Sequence, residues 1–143
     1  MMKIQSTILF FSFAFTCLSL VNCKKASTET LEEMVGTTAT LLYSGDFVGI
    51  GNENVSGKAE IYQTGNKYSL KLANFYTDNG PDLKVYLSKK SSPSEFISLG
   101  DIKSTNGNHV YQITGMPDFK QHKFVLIHCE KYDHLFGVAE LSN

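Results

Sequence analysis

The chain contains no arginine; all 13 of its basic residues are lysine. Arginine is the usual bidentate reader of phosphates and base edges. Its absence, with a net charge of −1, argues against nucleic acid as a partner. Proline is scarce, at three residues in 143, while 42% of the chain is hydrophobic. That balance belongs to a packed single domain, not to a disordered chain. The sequence has no GxSxG and no HExxH, so hydrolytic chemistry finds no motif, and a His/Asp/Ser triad cannot be placed from spacing alone. It has no CxxCH either, which excludes covalent attachment of a c-type haem. The apolar run Ile8–Val21 falls short of the roughly 20 residues that cross a bilayer.

That run follows Lys3, and the order of a positive segment and then an apolar one reads as a secretory signal peptide over residues 1–22. The run ends Leu20-Val21-Asn22-Cys23, which resembles a bacterial lipobox, with Asn22 in place of the usual small residue. The resemblance implies lipidation of Cys23 and a membrane as the first partner. It implies a place in the bacterial cell envelope, anchored in the outer membrane, with the domain in the periplasm or at the cell surface. Residues 23–36 then read as a polar tether in which Ser27 or Thr28 caps a short helix. Of the three cysteines, Cys17 leaves with the signal and Cys23 becomes a thioether. Cys129 is then the only free thiol, without a disulfide partner. An ordinary signal peptide would leave a Cys23–Cys129 bridge open.

From Thr37 the pattern has period two, the signature of strands. Thr40–Val48 reads as a strand with Leu42 and Phe47 as core candidates, and Gly49–Gly57 as a hairpin loop. Its Gly49-Ile50-Gly51 is a poor phosphate loop, because no helix follows. Lys58–Gln63 and Lys67–Asn74 form a half-buried hairpin with Tyr68, Leu70 and Leu72 on one face. Phe75–Asp82 reads as a loop ending in Gly80-Pro81, with Asp82 as a turn residue. Asp82–Lys89 alternates Leu83, Val85 and Leu87 against Lys84, Tyr86 and Ser88. Glu95–Leu99 is a short strand or irregular segment, and Asn106-Gly107 is a hairpin signal. His109–Thr114 is a strand, with His109 and His122 read as surface residues. Phe124–Cys129 is apolar on both faces and so central to a sheet. The link Glu130–His134 leads to Leu135–Leu141, where Gly137 and Ala139 suggest a close backbone approach. The expected domain, residues 37–143, is all-β: an antiparallel β-sandwich or flattened barrel of about seven or eight short strands.

Several of these residues together carry a family resemblance. They are Asn74-Phe75, Gly80-Pro81-Asp82-Leu83 running into Val85-Tyr86-Leu87-Ser88, Leu99-Gly100, Ile102-Lys103, Tyr111, Cys129, Phe136-Gly137 and Ala139. From about Thr40 to Leu141 the chain resembles the DM-thirteen domain, an electron-transfer family often found beside DOMON domains. The resemblance implies a β-sandwich and a redox role for the single cysteine, here Cys129. That cysteine would act as a bare thiol or as a ligand to a group such as haem or a metal. The residue before it is commonly tryptophan in the family and is His128 here.

The residues themselves leave Cys129 open between packing and chemistry. A cysteine on a buried strand often serves as a small apolar side chain, and reactivity needs thiolate character and access. Lys131 could share the face of Cys129, while alternation sends His128 to the other face, away from any ion that Cys129 held. His134 and Tyr132 could fold back over the thiol as further ligands, or stand as solvated link residues. The expected function is a small envelope redox or electron-transfer module acting through Cys129, with an envelope redox partner. The alternative is a non-catalytic binding or adhesion module in which Cys129 only packs.

Overall fold

The structure is a computed structural model that describes residues 26–143. The segment expected to be a signal peptide, with Cys17, and the expected lipidation site Cys23 lie outside the described residues.

Among the described residues nine strands form one continuous sheet. In chain order they are β1 (Leu31–Glu32), β2 (Thr40–Gly49), β3 (Val55–Thr64), β4 (Lys67–Thr77), β5 (Leu83–Ser88), β6 (Phe96–Asp101), β7 (Asn106–Ile113), β8 (Phe124–Cys129) and β9 (His134–Glu140). Their spatial order is β1-β7-β4-β3-β2-β9-β8-β5-β6. The sheet curls on itself into a half-barrel, so the all-β expectation holds. It is mixed rather than purely antiparallel, because β1 runs parallel to β7.

The fold turns its corner at β2. Thr40–Asp46 pairs with β3, whereas Phe47–Gly49 pairs with β9. One strand thus serves two halves, as strands do at the corners of packed sheets. A register shift between Leu41 and Tyr43 exchanges the faces of the later residues in the strand. Tyr43 therefore packs on the core beside Phe47, and Leu42 is only half-buried. The interior is filled from both halves: Ile61, Leu70, Leu72 and Tyr111 from one, Leu83, Val85, Val125 and Ile127 from the other. Burial of this apolar surface, worth roughly 25 cal/mol per Å², is the main force holding the halves together.

Three expectations are revised. Phe75–Thr77 is not loop but the end of β4, which continues past a bulge where Asn74 adopts φ 47°. Asn tolerates that left-handed conformation better than most residues. Asn106-Gly107 is not a hairpin turn but the start of β7. Gly107 stands there at φ 105° because the backbone of β1 lies against it. A Cβ at this position would meet the Leu31 carbonyl oxygen at 2.0 Å. The helix expected after Ser27 or Thr28 is instead an extended segment ending in β1. It is not a free tether. Ser27 N–H donates to the Lys103 carbonyl at 3.4 Å, and Thr105 N–H donates to the Ser27 carbonyl at 2.8 Å. Glu33 then accepts from Val110 N–H at 2.7 Å and pairs with Lys103. The close approach at Gly137 is made not by backbone, as expected, but by the Val55 side chain, 2.8 Å from where a Cβ would stand.

Strand directions sort the loops into two ends. Residues 50–54, 78–82, 102–105 and 130–133 lie at one end, and residues 65–66, 89–95 and 114–123 at the other. Cys129 closes β8 at the first end.

Candidate functional site

β8 lies between β5 and β9, and its burial is complete on both faces from Val125 to Cys129. Alternation places Val125, Ile127 and Cys129 in the interior. Leu126 and His128 take the outer face. The Cys129 thiol is 0% exposed and is the free cysteine among the described residues. Its neighbours across the ladder are Leu83 and His134. The next residue, Glu130, is already exposed, so the chain reaches the surface one position after Cys129.

That residue opens a short 3-10 turn, Glu130–Tyr132, which caps this end of β8. Three contacts hold it. Glu130 N–H donates to the Asp82 carbonyl at 3.0 Å, and the Tyr86 hydroxyl donates to the Glu130 carboxylate. Asp133, in a left-handed conformation at φ 46°, reaches His128 Nε2 at 3.4 Å. Tyr132 itself stands out at 68% exposure with the Lys131 ammonium over its ring.

The outer face carries a cluster that the sequence pattern did not single out. Tyr86 is 1% exposed although it points away from the interior. Its ring stacks on Phe96 with centroids 3.9 Å apart and tilts toward His128 at 5.7 Å. Burial, and next the hydrogen bond to the Glu130 carboxylate, push its phenol well above the usual range. Beside it Lys84 bridges Asp82 at 2.7 Å and Asp101. The hydrogen bonds to Asp101 and then Asp82 raise the lysine's affinity for its proton. Asp82 is thus an ion-pair partner rather than only a turn residue. For the burial of Tyr86 its own stretch carried no signal, because the pairing of Tyr86 with Leu126 joins strands distant in sequence.

The histidines separate. His134 is half-exposed and bonded to Glu53 at 3.1 Å; it pairs with Cys129 in the backbone ladder. His122 is half-buried near Asp118. His109, expected at the surface, is fully buried on the inner face of β7. It sits beside Phe75 at 5.5 Å, and its Nε2 lies 3.0 Å from the Asn106 carbonyl. Burial is the main cause that lowers its pKa. Within the expected strand His109–Thr114 it has the same parity as Tyr111 and Ile113, which are also buried.

The donors do not fit a metal held by several ligands. Among the described residues no three His, Cys, Asp or Glu groups come together as ion ligands. Cys129 faces apolar side chains, and His128 occupies the opposite face. Surface recesses lined by Met34, Thr64, Tyr68 and Gln112, or by Leu41, Ser44 and Ser142, lie at other places.

With this geometry established, comparison with known proteins decides the family. Residues 47–141 match the family described as Electron transfer DM13. The chain belongs to the DM13 family. The DM13 match spans every strand from the corner of β2 to the end of β9 and includes Cys129, Tyr86 and His128. It makes the domain, at a coarse level, a redox or electron-transfer module. No curated protein and no solved structure matches the chain.

Proposed function

We propose that this DM13 domain is a lipid-anchored redox module of the cell envelope whose working group is the Cys129 thiol. The anchor is Cys23 and the location is the outer membrane. The partner is an envelope protein dithiol that returns Cys129 to its reduced form. The observation that carries the reading is the placement of Cys129: sealed from solvent, yet the last residue of its strand, directly before an exposed 3-10 turn.

The chemistry follows from that placement. A thiol without a disulfide partner and enclosed in apolar surroundings is protected from exchange while the cap is closed. When the Glu130–Asp133 link opens, the thiolate attacks one oxygen of a peroxide. The O–O bond breaks, sulfur gives up two electrons, and sulfenic acid and hydroxide result. A partner thiol then displaces water from the sulfenic sulfur to form a mixed disulfide. The partner's second thiol attacks its own sulfur in that bond and releases Cys129 as thiolate. No step passes through a metal held by several ligands, which the donor set does not suit.

A second reading is favoured by one specific observation. Cys129 belongs to the same buried cluster as Leu83, Val85, Ile127 and Phe136. A small apolar side chain would serve there equally well, in a binding or adhesion module without chemistry. Treatment of the native protein with peroxide and a sulfenic-acid trap separates the two. The redox reading expects the trapped mass on Cys129 and its loss in Cys129→Ala. A thiol that reacts only after global unfolding overturns it and leaves the binding module. An absorption spectrum with a haem or metal band would overturn the cofactor-free form of the mechanism. For the anchor, a membrane-bound mature chain without the mass of a lipid on Cys23 refutes lipidation.

A further inference from the structure

The direction of β1 fixes where an N-terminal anchor must lie. Because β1 runs parallel to β7, the chain enters at the end of the half-barrel where β7 begins, and this is the Cys129 end. The path is short and continuous. Ser27 is bonded to Lys103 at 3.4 Å, its neighbour Ile102 donates N–H to the Leu83 carbonyl at 2.8 Å, and Leu83 pairs with Cys129. Ala26 packs on the interior cluster itself. Only Lys24 and Lys25 separate it from Cys23, so three Cα steps of 3.80 Å span at most about 11 Å.

We propose that the Cys129 end of the domain rests against the lipid surface, held there by the docked segment Ser27–Glu33 acting as a short strap. This rests on lipidation of Cys23, proposed above. The outward groups at this end suit an interface between water and lipid. Tyr132 is largely exposed with Lys131 over its ring, and Ile50 is exposed on the neighbouring loop. Amphipathic aromatic and lysine side chains favour that boundary. Most carboxylates here are already engaged within the domain. Asp82 and Asp101 bind Lys84, Asp78 accepts from Asn54 N–H at 2.6 Å, and Glu53 meets His134. Asp133 points outward, which favours zwitterionic over anionic headgroups. The partner that exchanges electrons with Cys129 then approaches along the membrane surface.

The absence of tryptophan makes a clean test. The full lipidated chain, carrying Tyr132→Trp at the near end or Met116→Trp at the far end, is reconstituted in phosphatidylcholine vesicles with nitroxide on the headgroups. The proposal expects severalfold steeper quenching at position 132 than at 116. Gly107→Val, which drives the side chain into Leu31, should abolish the difference. Where that variant misfolds by circular dichroism, Glu33→Ala combined with Lys103→Ala releases the strap more gently. Vesicle flotation with equal quenching at both positions overturns the orientation and leaves lipidation standing. A chain that carries no lipid and does not float overturns both.

Discussion

Glu130→Ala tests whether the cap over Cys129 is a gate. Opening the Glu130–Asp133 link in the native protein breaks the Glu130 N–H bond to Asp82 and the Tyr86 bond to the Glu130 carboxylate, and with them the Asp133–His128 contact, which contributes little at so exposed a carboxylate. In the proposed mechanism it also uncovers the thiol. Each hydrogen bond is worth about 1 kcal/mol net, the second no more than that because Glu130 is exposed and can rehydrate. Exposing the small apolar surface of Cys129 costs about 1 kcal/mol more. A local opening of about 3 kcal/mol slows the reaction of the native thiol with a disulfide reagent about 100-fold relative to the unfolded chain. Removing the Glu130 carboxylate deletes one of these contacts, so the variant should react about 5-fold faster at unchanged global stability within about 1 kcal/mol. The assay is stopped-flow thiol titration in buffer and in denaturant, with Cys23 lipidated so that only Cys129 reports. A native thiol reacting at the unfolded rate would refute the seal. A Glu130→Ala rate equal to wild type, in a protein that keeps its fold, would refute the link as the gate and assign opening to global unfolding.

Other perturbations probe the surroundings. The raised Tyr86 phenol means that the folded state holds this proton more tightly than the unfolded chain does. Its contribution is therefore present below pH 10 and lost above it, and the alkaline decline in denaturation midpoint should be shallower in Tyr86→Phe. His109 has the opposite sign: its lowered pKa makes the unfolded chain bind the proton first. Stability should be intact above about pH 6.5 and fall by at most about 1.4 kcal/mol per pH unit below it, a slope that His109→Leu reduces. Lys84→Met leaves Asp82 and Asp101 facing each other and should cost about 1–2 kcal/mol in urea unfolding. The loss should shrink in high salt, and a loss independent of salt would show that packing rather than charge is at stake. Cys129→Ser places an unpartnered hydroxyl in an apolar interior and should cost about 1–3 kcal/mol. Cys129→Ala should cost less, and the reverse order would mean that the site is polar.

Most of the strand pattern could be read from alternation alone. Leu70 and Leu72, then Leu83, Val85 and Leu87, face inward as their period-two spacing requires. The doubly apolar Phe124–Cys129 is indeed flanked on both sides. The misreadings have a common physical origin in local backbone devices that shift parity. The bulge at Asn74 extended β4 through Phe75, and the bulge at Leu41–Tyr43 exchanged Leu42 for Tyr43. Gly107 carries turn chemistry but serves a strand-to-strand approach whose partner lies 76 positions away at Leu31. A residue's own neighbours carry no information about such a contact. The same limit explains Tyr86: its partners Phe96, His128 and Glu130 come from three other segments.

Cys129 and His128 show what parity decides for chemistry. Adjacent in sequence, they would make a plausible thiolate–imidazole pair. The strand gives the thiol to the apolar interior and the imidazole to a face shared with Tyr86 and Asp133. The imidazole therefore cannot take the thiol's proton while β8 holds its register. The activating base must come from the solvent or from the link once it has opened. In that state Lys131, which follows Cys129 by two positions, is the nearest cation in sequence able to favour the thiolate. Access and activation then depend on the same movement of the same four residues. In the mechanism proposed above, a closed domain protects its sulfur from irreversible oxidation, and an open one exposes it together with the charge that makes it reactive.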